Sequence, residues 1–284
     1  MTVVSCRERY VTNRTGRRIF TRDWGDPLDP RAPILGLPGY ARTSRDFAHI
    51  AERLAPRRVV SLDYRGRGES DYESDPANYA PPLMLDDVRG VMVALGLHRV
   101  VCIGMSFGGL LAMGLAVVAP VSLAGVVLND VGPEVGSEGG DKLVKVMGTE
   151  RRPASYEAGA AELKTILPDM SFEREEEWIE FARHTYREEP DGTLRQDWDP
   201  AIVKPLNGPG AKDADLWALF TALTVMPTLL VHGGKSPVLT AATVAEMRTR
   251  HPTMEVVTLP TVGHAPTLDE RDARTALDGF LARY

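Results

Sequence analysis

The chain holds 284 residues with a formal net charge of −6, 43% hydrophobic and 25% charged side chains. That is the balance of an ordinary globular protein, with length enough for one large α/β domain carrying an insertion, or for two modest domains. The acidic charge argues against nucleic acid or an anionic membrane as partner, and two distant cysteines, Cys6 and Cys102, can build neither a disulfide framework nor a metal site.

Residues 3–12 and 17–24 alternate loosely and predict two antiparallel strands around the turn Asn13-Arg14-Thr15-Gly16. No basic region followed by an apolar stretch opens the sequence, and no run approaches a membrane span, so a reducing cytoplasm is the expected setting. A loop rich in Asp and Pro leads to a short buried strand, Ala32–Leu37, which runs into Pro38-Gly39-Tyr40. Phe47, Ile50, Ala51 and Leu54 then recur at helical spacing, with Ser44 as the expected N-cap. A strand at Val59–Leu62 enters the glycine-punctuated turn Asp63-Tyr64-Arg65-Gly66-Arg67-Gly68-Glu69-Ser70, and Pro81-Pro82 opens a helix that reaches Leu95. The apolar run Val100–Ile103 meets Gly104-Met105-Ser106-Phe107-Gly108-Gly109, followed by a helical run, Leu110–Val118. Leu123–Leu128 is one more strand, ending in Asn129-Asp130-Val131-Gly132-Pro133.

Alternation stops there. Residues 134–224 read as helical, charged and irregular, with helices expected over Ser155–Leu167, Phe172–Tyr186 and Asp215–Leu223. The strand–helix pattern then resumes with a strand at Pro227–Val231, a helix at Ala241–Arg250, a strand at Glu255–Leu259 and a closing helix, Asp269–Tyr284. Apolar strands alternating with helices predict a mostly parallel sheet covered on both faces. The organisation expected is a core of residues 1–133 and 225–284 with a helical cap, 134–224, inserted after the sixth strand. Ligands bind at the carboxyl edge of such sheets, so an insert placed there has the position of a lid.

The chemistry centres on Ser106. A strand that reverses sharply into a helix leaves no room for side chains two residues before and two after the apex, which accounts for Gly104 and Gly108. The helix N-terminus behind the serine offers free N–H groups to developing negative charge. A serine nucleophile needs a base, and His264, in Val262-Gly263-His264-Ala265-Pro266 after the last strand, is the candidate. His232, at the end of the seventh predicted strand, is its rival; His49, His98, His184 and His251 fall in helices or at their ends and read as surface residues. The backbone N–H groups of Phe107 and Tyr40 are the expected oxyanion donors. The Asp63–Ser70 turn lacks the Lys-Ser/Thr of a phosphate loop and reads as structural.

The motifs L-P-G-Y at 37–40, D-Y-R-G-R-G-E-S at 63–70, G-M-S-F-G-G at 104–109, P-T-L-L-V-H-G at 227–233 and V-G-H-A-P at 262–266 make the chain resemble an α/β-hydrolase-fold serine hydrolase with a helical cap. The resemblance covers nearly everything outside residues 134–224 and implies an eight-stranded, mostly parallel sheet, no cofactor, and a nucleophile–acid–histidine order. Members with aspartate at the elbow are epoxide hydrolases and dehalogenases, and Ser106 argues against both chemistries.

One departure stands out. The family's acid usually follows the seventh strand, where this chain has Gly233-Gly234-Lys235-Ser236-Pro237, with proline at the expected aspartate. Some relatives place it after the sixth strand, and there Asp130 preserves the order along the chain; Glu134 lies farther into the loop. The expected triad is therefore Ser106, Asp130 and His264, acting on a carboxylic ester or lactone of a small molecule. Carbon–carbon bond hydrolysis of a β-diketone-like ring-cleavage product or acyl transfer would use the same residues, and Pro237 keeps a non-catalytic ligand-binding role open. Phe172, Trp178 and Trp217 are the expected substrate contacts from the cap, with core packing as their other role.

Overall fold

The runs of Val, Leu and Ile between glycine-rich turns pair into one sheet of eight strands, in the order β1-β2-β4-β3-β5-β6-β9-β10. In this computed structural model, which describes residues 4–207 and 215–284, the strands are β1 (Cys6–Thr12), β2 (Arg18–Trp24), β3 (Ile34–Leu37), β4 (Val59–Leu62), β5 (Val100–Met105), β6 (Leu123–Asn129), β9 (Thr228–Gly233) and β10 (Glu255–Leu259). β2 pairs antiparallel with β1 and β4, and every other neighbouring pair is parallel. β3, β4 and β6 are buried along their whole length, as continuous apolar runs in parallel sheets are.

Strand side chains alternate between faces, and the core divides accordingly. Val100, Cys102, Val126 and Leu128 pack with α2 (Pro81–Ala94), α3 (Phe107–Val118) and α8 (Ala241–Arg250) through Val88, Leu111 and Met247. Val101, Ile103, Val127 and Val231 face the other way, onto α1 (Ala48–Leu54) and α9 (Arg271–Leu281) through Ile50, Leu277 and Phe280. Ser44 is not the N-cap of α1. It opens a 3-10 turn before it, and its N–H and hydroxyl both donate to the buried Asp63 carboxylate, at 2.7 and 2.6 Å.

Between β6 and β9 the chain leaves the sheet. This excursion contains α4 (Ser137–Gly148), α5 (Tyr156–Ile166), α6 (Glu175–Thr185), a hairpin of β7 (Tyr186–Glu188) and β8 (Leu194–Gln196), and α7 (Leu216–Thr221). The N-terminus of α5 is capped by Ser155, whose hydroxyl accepts the Ala158 N–H at 3.2 Å. The excursion has its own small core, with Leu163, Trp178, Ala182, Tyr186 and Leu194. The hairpin is absent from the sequence reading, although Pro190-Asp191-Gly192 carries its turn chemistry: Asp191 accepts the Thr193 N–H at 2.9 Å, and Gly192 has φ 81°. Residue 3, where the first strand was expected to begin, and residues 208–214 of the expected insert lie outside the described residues. Among the described residues no helix is long and apolar enough to cross a membrane.

Candidate active site

β5 ends at Met105 and α3 begins at Phe107, so Ser106 alone turns the chain, at φ 50° and ψ −118°. A non-glycine residue held there costs about 1–3 kcal/mol, which the surrounding structure must offset. Close packing does so. A Cβ on Gly104 would fall 2.5 Å from the Gly109 backbone and one on Gly108 would fall 2.0 Å from the Leu37 carbonyl oxygen, so neither position accepts a side chain. The Ser106 N–H donates to the Asn129 carbonyl at 2.9 Å, fastening the elbow to the end of β6.

His264 follows β10 on a loop fixed by hydrogen bonds from Val262 N–H to the Leu259 carbonyl and from Gly263 N–H to the Asp169 carbonyl, the latter at 2.7 Å. Its Nε2 lies 2.8 Å from Ser106 Oγ and its Nδ1 lies 2.8 Å from Asp130 Oδ2. An ionised carboxylate only accepts hydrogen bonds, so Nδ1 carries the proton and Nε2 presents its lone pair to the serine hydroxyl. Asp130 is fully buried and adopts φ 54° immediately after β6. Its N–H donates to the Val231 carbonyl and its Oδ1 accepts the Gly233 N–H, both at 2.8 Å. The end of β9 thus anchors the Asp130 carboxylate through its backbone, in the strand after which Pro237 has no carboxylate to give.

Tyr40 sits in the turn after β3. Its ring meets Phe107 edge-on at 4.7 Å, and its hydroxyl donates to the Ile202 carbonyl of the excursion at 2.6 Å. The fully buried Arg67 donates from Nε to the Tyr40 carbonyl at 2.8 Å and stacks 4.5 Å over the Tyr40 ring. Burial pulls the Arg67 guanidinium below its ordinary pKa and pushes the Tyr40 hydroxyl above its own. Phe107, the first residue of α3, has no preceding helical carbonyl for its N–H. Both expected oxyanion residues therefore flank the elbow and pack on one another. Arg67 and Gly233 were not singled out from the sequence, since their partners lie in other segments of the chain.

The alternatives are placed elsewhere. His232 faces the Leu239 carbonyl at 3.1 Å and the Thr258 hydroxyl at 3.3 Å. Glu134 accepts from Trp217 Nε1 at 2.8 Å and from the Thr243 hydroxyl at 3.2 Å. The Asp63–Ser70 turn is structural: Arg65 grips Asp87 with two bonds of 2.7 Å, and Asp63 accepts the Glu69 N–H at 3.0 Å.

Of the aromatic residues expected at the substrate, Trp178 is buried in the excursion's own core, against Phe172 at 5.1 Å. Trp217 packs under Arg250 at 4.0 Å and edge-on to Phe220, bound to Glu134 rather than beside the triad. Phe172 lines a cavity of about 1130 Å³ at the seam between α6 and the core. Met105 and Ala265, the chain neighbours of Ser106 and His264, form part of its wall, whereas Ser106 and His264 do not.

The profile of the alpha/beta hydrolase family matches residues 34–277. A 3-hydroxybutyrate-oligomer hydrolase from Cupriavidus necator is 34% identical over 260 residues, covering 88% of each chain. A 2-hydroxymuconate semialdehyde hydrolase from a Pseudomonas species is 28% identical over 69% of this chain and 67% of its own. The crystal structure of an alpha/beta hydrolase from Novosphingobium aromaticivorans superposes with a TM-score of 0.91 at 38% identity, over 98% of this chain and 99% of that one. With the profile running from β3 into α9, across every segment that supplies a residue to the elbow and its partners, the chain belongs to the alpha/beta hydrolase family.

Proposed function

We propose that the chain is a serine hydrolase that cleaves a carboxylic ester or lactone of a small molecule through an acyl-enzyme. The observation that carries this reading is the unbroken line of hydrogen bonds from Ser106 Oγ through the His264 ring to Asp130, 2.8 Å at each step. Ser106 attacks the carbonyl carbon while His264 Nε2 takes the hydroxyl proton. Asp130 holds the imidazole tautomer and stabilises the imidazolium that forms. The N–H groups of Phe107 and Tyr40 receive the oxyanion, each donor contributing about 3–4 kcal/mol to the transition state. His264 returns its proton to the leaving alcohol, then activates water to release the acid. The described part of the excursion between β6 and β9 has the position of a lid, and its Phe172 contributes to the wall of the adjoining cavity.

The Cupriavidus relative's name supports short 3-hydroxybutyrate oligomers as the first ester class to assay. A second reading, hydrolysis of a carbon–carbon bond in a β-diketone-like compound, is favoured by the relative named as a 2-hydroxymuconate semialdehyde hydrolase. One panel separates them: p-nitrophenyl butyrate, 3-hydroxybutyrate dimer and trimer, a γ-lactone and a vinylogous 1,5-diketone. The expected result is turnover of at least one ester, reduced by about 10⁵–10⁶-fold in Ser106→Ala. Turnover of the diketone alone selects the second reading, and no turnover of any member rejects both.

A further inference from the structure

We propose that Asn129 is the positioning residue that holds the catalytic histidine loop in register with the nucleophile and the acid. Asn129 ends β6, fully buried, between Met105 of β5 and Val231 of β9. Three connections meet in it. Its carbonyl accepts the Ser106 N–H at 2.9 Å, its Nδ2 donates to the Pro266 carbonyl at 2.8 Å, and its peptide bond leads directly into Asp130. Pro266 lies two residues beyond His264, so one residue touches the elbow, the histidine loop and the acid.

The rest of β6, Leu123 to Leu128, is an apolar run, and an apolar side chain would suit the sheet interior at its last position too. An amide buried there loses its hydration and is tolerable only when hydrogen-bonded. Asn129 is only half satisfied, because its Oδ1 has no hydrogen-bond partner. What accounts for the residue is the donor half. The Pro266 carbonyl is an acceptor without an N–H of its own, so only a donor can fasten it. Fastening Pro266 fixes the far side of the His264 loop, whose near side is held by the Gly263 N–H on the Asp169 carbonyl. Among the described residues, the other side-chain bonds to the backbone of this loop outside the triad, from His49 and Glu270, meet it one residue farther on, at Thr267.

The inference rests on the triad mechanism above. Its test uses the full chain with Asn129→Asp and Asn129→Ser. The first keeps the side chain's shape and turns an oxygen toward an acceptor, and the second shortens the reach. The probe is p-nitrophenyl butyrate, with circular dichroism and size-exclusion chromatography reporting the folded fraction. Both folded variants are expected to lose kcat by at least about tenfold, with KM within about threefold of the wild type, because misplacing a reacting group by a fraction of an ångström costs rate rather than binding. Wild-type kcat in a folded variant, a loss confined to KM, or failure of both variants to fold would overturn the assignment. A wild-type chain inactive on every ester would instead sink the hydrolase mechanism, while an active wild type with equally active variants would sink only the role of Asn129.

Discussion

The two oxygens of Asp130 have different partners, and this decides what a conservative change does. Oδ1 accepts the Gly233 N–H and Oδ2 faces His264 Nδ1. In Asp130→Asn the Gly233 N–H selects the amide oxygen, which turns the NH2 group toward the imidazole. Nδ1 must then accept, Nε2 carries the proton, and the serine hydroxyl loses its base. Asp130→Asn is therefore expected to fold like the wild type and lose about 10³–10⁴-fold in kcat; unchanged turnover on the best ester of the panel would refute the role. At this scale the sequence is legible where the constraint is local. Gly104 and Gly108 announce the elbow because steric exclusion acts within five residues, and His264 stands beside a glycine after the last strand. Asp130 becomes legible only because Pro237 removes the usual acid. Asn129 is not legible at all, since the Pro266 carbonyl that explains it lies 137 residues away.

At the scale of elements, the excursion is tied to the core through a charged cluster between the turn after β3 and α6. Arg42 donates two bonds to Asp46, at 2.7 and 2.6 Å, and a third to the Thr185 hydroxyl at 2.6 Å, while its guanidinium stacks 4.2 Å over Phe181. Burial disfavours the Asp46 charge, but Arg42 and His184 outweigh it and hold this carboxyl well below the ordinary range. A carboxyl depressed by folding stabilises the native state above its unfolded pKa of about 4, and that contribution is lost as pH falls through the window beneath it. The thermal midpoint is accordingly expected to fall from pH 5 to pH 2.5. Asp46→Asn should cost about 1.5–3 kcal/mol at neutral pH and flatten that slope; an equally steep slope in the variant would contradict the linkage. Helices α5, α6 and α7 fall where the sequence predicts helices, α6 with its Glu-rich exposed face, whereas α4 is not predicted in the charged, irregular stretch after β6. Nor is the β7–β8 hairpin, because strands of three residues are too short for a period of two to register.

Across the whole molecule, the legible part is the alternation of apolar strands and amphipathic helices, which dictates a parallel sheet and puts the ends of β3, β5, β6 and β10 at one edge. That convergence brings residues more than a hundred positions apart within hydrogen-bond reach, as the 158-residue separation of His264 from Ser106 illustrates. The shape of the pocket above them is not readable in this way. It depends on how the excursion packs, and two of the three aromatic residues expected there are occupied in other contacts. Covalent labelling asks whether Ser106 is a nucleophile activated by His264. The chain is treated with a fluorophosphonate and the adduct located by peptide mass spectrometry. One phosphonyl group per chain is expected, on Ser106, absent from Ser106→Ala and formed far more slowly in His264→Ala; an unlabelled Ser106, or labelling unaffected by loss of the imidazole, would contradict a nucleophile activated in this way.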